Sequence, residues 1–201
     1  MKKILAIFTT LCVALTLTAV ASASSNRAKN QRTITDYVVA NGGNFDDHHG
    51  DYDILLKAVV TADLADTLAD TNSKFTVFAP NDRAFVLLAK DLGFTGDREV
   101  DAWNFLVRQL TVLGDGDPIP VLTNVLLYHV APQAVYLDAL LFDTDEVTTA
   151  LTGATIRTNE RHLIDNDPDL TDARVLYRRA NIPLRNGVIH GIDRVMIPLD
   201  L

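Results

Sequence analysis

A mixed α+β domain is the fold class that the sequence predicts, and three observations predict it. Before residue 130, apolar residues recur at helical spacing in several separate segments. One short run among them, Phe75-Thr76-Val77-Phe78-Ala79, is aromatic and β-branched, the character of a buried strand. From Ala134 onward, short strand-like runs alternate with turn dipeptides. Helices first and strands later point to α+β rather than to a repeating βαβ unit.

The elements follow in order. Residues 24–32 are polar and read as a flexible leader. Thr33-Ile34-Thr35-Asp36 has capping-box spacing, so a short helix begins there, and Gly42-Gly43 stops it. Residues 44–50 form an acidic, histidine-containing loop. Asp53 is placed to cap a second helix whose inner face carries Ile54, Leu55, Ala58, Val59 and Ala62. Leu64, Ala65 and Leu68 give a brief third. The strand at 75–79 ends at Pro80, and Asn81 is placed to cap a helix that buries Ala84, Phe85, Leu88 and Ala89. Gly93 and Gly96 break it. Residues 101–113 repeat at helical spacing through Trp103, Leu106, Leu110 and Leu113, and 114–118 is a turn. Residues 121–130 are an apolar helix or a helix running into a strand. Candidate strands follow at 146–149, 155–158, 174–177, 188–189 and 194–197. Thr152-Gly153 and Asn186-Gly187 mark turns, the second being the stronger hairpin signal because both residues tolerate positive φ.

Composition narrows the function classes. The chain has 201 residues, 48% of them hydrophobic, which suits one domain with its own core and excludes a disordered chain. Eighteen Lys+Arg stand against 26 Asp+Glu, a net charge of −8, so the basic face that a nucleic-acid backbone requires is missing. Lys2 and Lys3 precede an apolar run, residues 4–20, and Ala21-Ser22-Ala23 follows as a small-x-small cleavage site. This is the layout of a signal peptide over 1–23, a retained membrane anchor being the other reading. Cleavage removes Cys12, the one cysteine, which leaves no disulfide and no thiolate. No later stretch approaches a membrane span. The expected location is extracellular, with the periplasm second.

Three segments then carry a family resemblance. Phe75-Thr76-Val77-Phe78-Ala79-Pro80-Asn81, followed by Ala84-Phe85, resembles the first signature box of fasciclin domains. Leu126-Leu127-Tyr128-His129-Val130 is similar to their central Tyr-His motif. Asn186-Gly187-Val188-Ile189-His190-Gly191-Ile192-Asp193-Arg194-Val195, ending at Pro198, resembles their second box. The resemblance implies a fasciclin-like β-wedge with a mixed sheet, flanked by several α-helices, over 33–201. It implies secretion and adhesion to a cell-surface or matrix protein or a polysaccharide, with Tyr128 and His129 as candidate partner-binding residues. Some similar scaffolds hold a carotenoid or lipid, so a carrier of a small apolar ligand is the alternative. Integrin-binding members often place Asp-Ile before the second box; the corresponding pair here is Asn181-Ile182, which lacks that carboxylate. Read as residues alone, the boxes are a core strand running into a capped helix, an aromatic pair ending a helix, and a hairpin turn leading to a central strand.

Other polar groupings are weaker. Asp46, Asp47, His48, His49, Asp51 and Asp53 form the densest cluster, readable as a divalent-metal loop or as a solvated turn with helix-capping acids. Residues 165–169 alternate acids, but Leu170 and Leu176 stand where a calcium loop of the EF-hand type needs Gly and Glu. Arg174, Arg178, Arg179 and Arg185 read as partners for the abundant acids or as an anion contact. His190 and Asp193 are three apart on a candidate strand and so face opposite sides, against an acid–base pair. No nucleophile elbow, zinc-protease motif, P-loop or dinucleotide fingerprint is present. The expectation is a non-enzyme with no cofactor and no metal.

Overall fold

The structure is a computed structural model that describes residues 31–198, so the expected signal peptide lies outside the described residues. Helix α1 (Ile34–Asn41) opens with the reciprocal capping box: the Thr33 hydroxyl accepts from the Asp36 N–H at 3.2 Å, and the Asp36 carboxylate accepts from the Thr33 N–H at 2.8 Å. Helix α2 (Asp53–Thr61) corrects the expected Asp53 cap. Asp53 is already inside the helix, and the N–H groups of Asp53 and Ile54 donate to the carboxylate of Asp82 at 3.0 and 2.8 Å. The cap comes from another helix, which no local pattern shows. Helix α3 (Ala65–Ala69) is short, and its Ala65 carbonyl accepts from the Thr35 hydroxyl.

Strand β1 (Phe75–Pro80) extends through Pro80. Asn81 caps α4 (Asp82–Asp91) by accepting from the Ala84 N–H at 3.0 Å. Helix α5 (Glu99–Leu113) begins two residues earlier than its periodicity predicts. Helix α6 (Ile119–Tyr128) has Pro120 in its first turn, where the missing N–H costs nothing, and runs into β2 (Val130–Ala131).

The later half contains more helix than expected. Helix α7 (Leu137–Phe142) is too short for its period to register in the sequence. Strands β3 (Glu146–Thr148), β4 (Thr155–Asn159), β5 (His162–Ile164) and β6 (Ala173–Arg174) form one antiparallel sheet in that order. The strand expected over 174–177 stops at Arg174, and Tyr177–Arg179 is a 3₁₀ turn. Strands β7 (Ile182–Leu184) and β8 (Gly187–Ile192) complete the other, mixed sheet, ordered β2-β1-β8-β7, with β1 and β8 parallel. The strand expected at 194–197 does not form, because its backbone is taken by side chains. The N–H groups of Met196 and Ile197 donate to the His129 ring and to Asp165.

The β7–β8 hairpin turns on Arg185-Asn186, with Leu184 and Gly187 as the closing pair. Gly187 is therefore the first strand residue, at φ +151°. A Cβ there would lie 1.8 Å from the Phe75 carbonyl oxygen, so only glycine lets β8 approach β1. Alternation along the mixed sheet divides the core. Val77, Ala79 and Ile189 face a helical cluster that includes Ile54, Phe85, Trp103 and Leu122. Phe78 and Ile192 face a second cluster with Tyr128, Ile156, Leu163 and Met196. The mixed sheet thus has helices on one face and the antiparallel sheet on the other.

Candidate functional site

The three motif segments converge where β1 and β8 pair. Phe78 lies opposite His190 in the parallel register, and their rings stack with centroids 5.8 Å apart. His129 is 3% exposed. The Met196 N–H donates to its Nε2 at 2.9 Å, so the ring proton sits on Nδ1 and donates to the Val125 carbonyl at 2.7 Å. The His129 carbonyl accepts from the Phe78 N–H. His190, fully buried, takes the opposite tautomer: the Asn181 N–H approaches its Nδ1 at 3.4 Å, and Nε2–H donates to the Val135 carbonyl at 2.9 Å. Burial lowers the pKa of both rings, that of His129 to about 4. Each imidazole is neutral with both nitrogens engaged, which makes it a brace.

The other motif side chains brace as well. Tyr128 is fully buried, and its hydroxyl donates to the Thr155 carbonyl of β4 at 2.9 Å. The Thr76 hydroxyl accepts from the Val135 N–H and donates to the Gln133 carbonyl, both at 2.7 Å. Asn186 accepts from the Ile34 N–H and donates to the Leu68 and Asp70 carbonyls, tying α1 and α3 to the hairpin. Asp193 accepts from the Arg174 N–H at 2.8 Å, so it and His190 serve separate partners.

As folded, Tyr128 and His129 present almost no surface, and the solvent face beside them belongs to other residues. Thr76 and His190 both grip Val135, and the next residue, Tyr136, is 46% exposed. The Leu137 N–H then donates to the Asn181 side chain at 2.7 Å. Asn181 holds φ +53°, a conformation asparagine tolerates well. With Arg178, Ile182 and Tyr37 it lines an open cleft of about 460 Å³. Tyr177, 59% exposed, lies just before it in the chain, with the Arg161 guanidinium 4.4 Å from its ring centroid. The sequence motifs contain the braces, and the exposed side chains beside them lie outside those motifs. The one available signal is a pair of tyrosines, Tyr136 and Tyr177, both between the central motif and the second box in a chain with few aromatics.

The acidic cluster is built more deeply than its sequence suggests. Asp53 and two residues absent from the sequence reading, Asp82 and Glu99, are buried. Each is the first residue of its helix, α2, α4 and α5 respectively. Burial, and the Asp51 carboxyl beside it, push Asp82 up to about 8; burial also raises Asp53 and Glu99. The 165–169 acids serve the backbone. Asp165 accepts from the Ile197 and Asp167 N–H groups, and burial raises it to about 6. Asp167 accepts from Asp169 and Leu170. Among the described residues, no ion pair joins Arg174, Arg178, Arg179 or Arg185 to an acid, against expectation; Arg179 lies over the Tyr52 ring instead. Between α4, α5 and α6 an apolar pocket of about 50 Å³ is lined by Phe85, Trp103, Leu106 and Leu122 among others. Pockets for small organic ligands run to roughly 300–1,000 Å³, so no carotenoid or lipid fits this one as the helices stand.

The fasciclin domain family model matches residues 50–198. No curated protein matches the chain. Among solved structures, the chain is similar to the FAS1 domain pair of the insect cell adhesion molecule Fasciclin I, with a TM-score of 0.55 and 17% identity. That match covers 82% of this chain and 50% of the other, so this chain spans about half the length of the structure it resembles. At that identity the likeness is one of fold. No helix of the described residues is long and apolar enough to cross a membrane.

Proposed function

The chain belongs to the fasciclin domain family, and from that premise we propose that it is an exported, non-enzymatic interaction module that attaches its cell to a surface or matrix partner, protein or polysaccharide. Fasciclin domains are typically extracellular adhesion modules, and the 1–23 pattern is that of a signal peptide. In this reading the contact face is the surface around Tyr136, Tyr177 and the Asn181–Ile182 cleft.

The observation that carries it is the double grip on Val135. Two buried polar side chains from separate signature boxes, Thr76 and His190, hold the segment that presents Tyr136. An exposed aromatic on a rigid segment loses little entropy on binding and is a frequent interface anchor. Tyr128 and His129 act from inside, fixing the end of α6 and β2 beside that segment.

The test is binding of the mature protein to matrix proteins and surface polysaccharides of its own source. Tyr136→Ala and Tyr177→Ala are expected to weaken capture at least tenfold with unchanged circular dichroism. Full binding by the double variant would move the face elsewhere on the domain.

A further inference from the structure

The loop between α1 and α2 meets the starts of α2, α4 and α5 at a carboxylate cluster that nothing in the adhesion reading uses. Two sets of acids have oxygens within 4.8 Å of one another: Asp51, Asp53 and Asp82, and Asp46, Asp51 and Glu99. Two oxygens that each lie about 2.4 Å from one calcium ion can be no more than about 4.8 Å apart, so each set is close enough to share one ion.

The hydrogen bonds leave ligand atoms over. Asp53 gives one oxygen to the Gly43 N–H, and Glu99 gives one to the Asp47 N–H at 3.0 Å. Asp82 caps α2. The second oxygen of Asp53 has no hydrogen-bond partner, although the residue is 2% exposed. One oxygen of Asp51 is likewise buried without a hydrogen bond, while the corresponding oxygen of Glu99, Oε1, faces His49 Nδ1 at 3.2 Å. An unpartnered carboxylate oxygen away from water is costly, and several together repel one another. Among the described residues, no lysine or arginine pairs with Asp51, Asp53, Asp82 or Glu99. The cationic candidates are two histidines, His48 at 3.5 Å from Asp51 and His49 at 3.2 Å from Glu99.

We propose that this cluster binds one calcium ion, with Asp51, the residue common to both sets, and Asp53 as its central ligands. All-oxygen donors select a hard cation, and their irregular arrangement around a loop suits calcium better than the strict octahedron of magnesium. Bound there, the ion ties the Asp46–Asp51 turn to the starts of three helices. This inference is independent of the proposed contact face, because it is read on the isolated protein.

The experiment is calorimetric titration of calcium chloride into the chelator-treated mature protein at pH 7.5, paired with thermal unfolding. One ion per chain is expected. At a hundredfold excess over Kd, the unfolding midpoint rises by about 5–10 °C. Asp53→Asn is expected to abolish the heat and the shift. Should that variant not fold, Asp51→Asn, at a partly exposed position, is expected to weaken binding at least tenfold. His49→Gln retains the response. Calcium that produces no binding heat at millimolar concentration overturns the site. So does a midpoint shift that sodium chloride reproduces at equal ionic strength, or a calcium response that survives both aspartate changes.

Discussion

The two motif histidines hold opposite tautomers because each faces one backbone N–H and one backbone carbonyl in opposite order. Neither has a place for a second proton, and this sets a pH dependence. The His129 pKa falls from 6.5 to about 4 on folding, chiefly by desolvation. The unfolded chain therefore takes up the proton first as the pH drops. The stability tied to His129 is complete above pH 6.5 and is lost as the pH falls toward 4, by about 3 kcal/mol in all. His190 shifts in the same direction. Asp165 opposes them, because a carboxyl raised from 3.8 to about 6 binds its proton more tightly when folded. His129→Gln isolates the ring's share. Urea unfolding at pH 7.5 and pH 5 is expected to show a smaller loss in the variant than in the natural protein, and equal losses would remove His129 from the account.

Among the elements, the difference between local and distant caps decides what the sequence shows. The Thr33 and Asn81 caps are legible because donor and acceptor lie three residues apart. The Asp82 cap on α2 is not, because its partners are 28 and 29 residues away. The same rule applies to the segment at Val135, which is 59 residues from its partner Thr76. It also explains residues 194–197, whose apolar run Val195-Met196-Ile197 reads as a strand until His129 and Asp165 claim its N–H groups. The signature boxes are legible as a pattern, whereas their inward orientation depends on packing that the pattern does not state. Asn186 and Thr33 both serve the start of α1, and their loss should differ. Thr33→Ala removes an exposed cap and costs about 1 kcal/mol. Asn186→Ala strands the Ile34 N–H and the Leu68 carbonyl out of reach of water and frees the half-buried Asp70 carbonyl, at about 3 kcal/mol. Urea midpoints of the two variants measure the ratio, and a Thr33 loss equal to the Asn186 loss would contradict the buried-bond argument.

Across the whole molecule, two apolar clusters share one mixed sheet, and Tyr128 joins them. It ends a helix whose Leu122 and Leu126 belong to the helical cluster, while its own ring lies in the cluster between the sheets. Its hydroxyl donates to the backbone of β4, the strand between β3 and β5 in the antiparallel sheet. Further ties between the two sheets lie at their ends: the Val175–Ile192 bridge, the bonds between Arg174 and Asp193, and the Ala150 N–H donating to the Val130 carbonyl. Tyr128→Phe keeps the ring and removes the bond, leaving the Thr155 carbonyl without its buried donor at about 1–2 kcal/mol. If the two sheets are separately cooperative, that loss concentrates on one of them. Amide hydrogen exchange is expected to quicken across β3, β4 and β5 while α2, α4 and β1 keep their protection. Uniform acceleration would instead mean that the two clusters unfold as one unit, and the Tyr128 bond would then contribute to global stability alone.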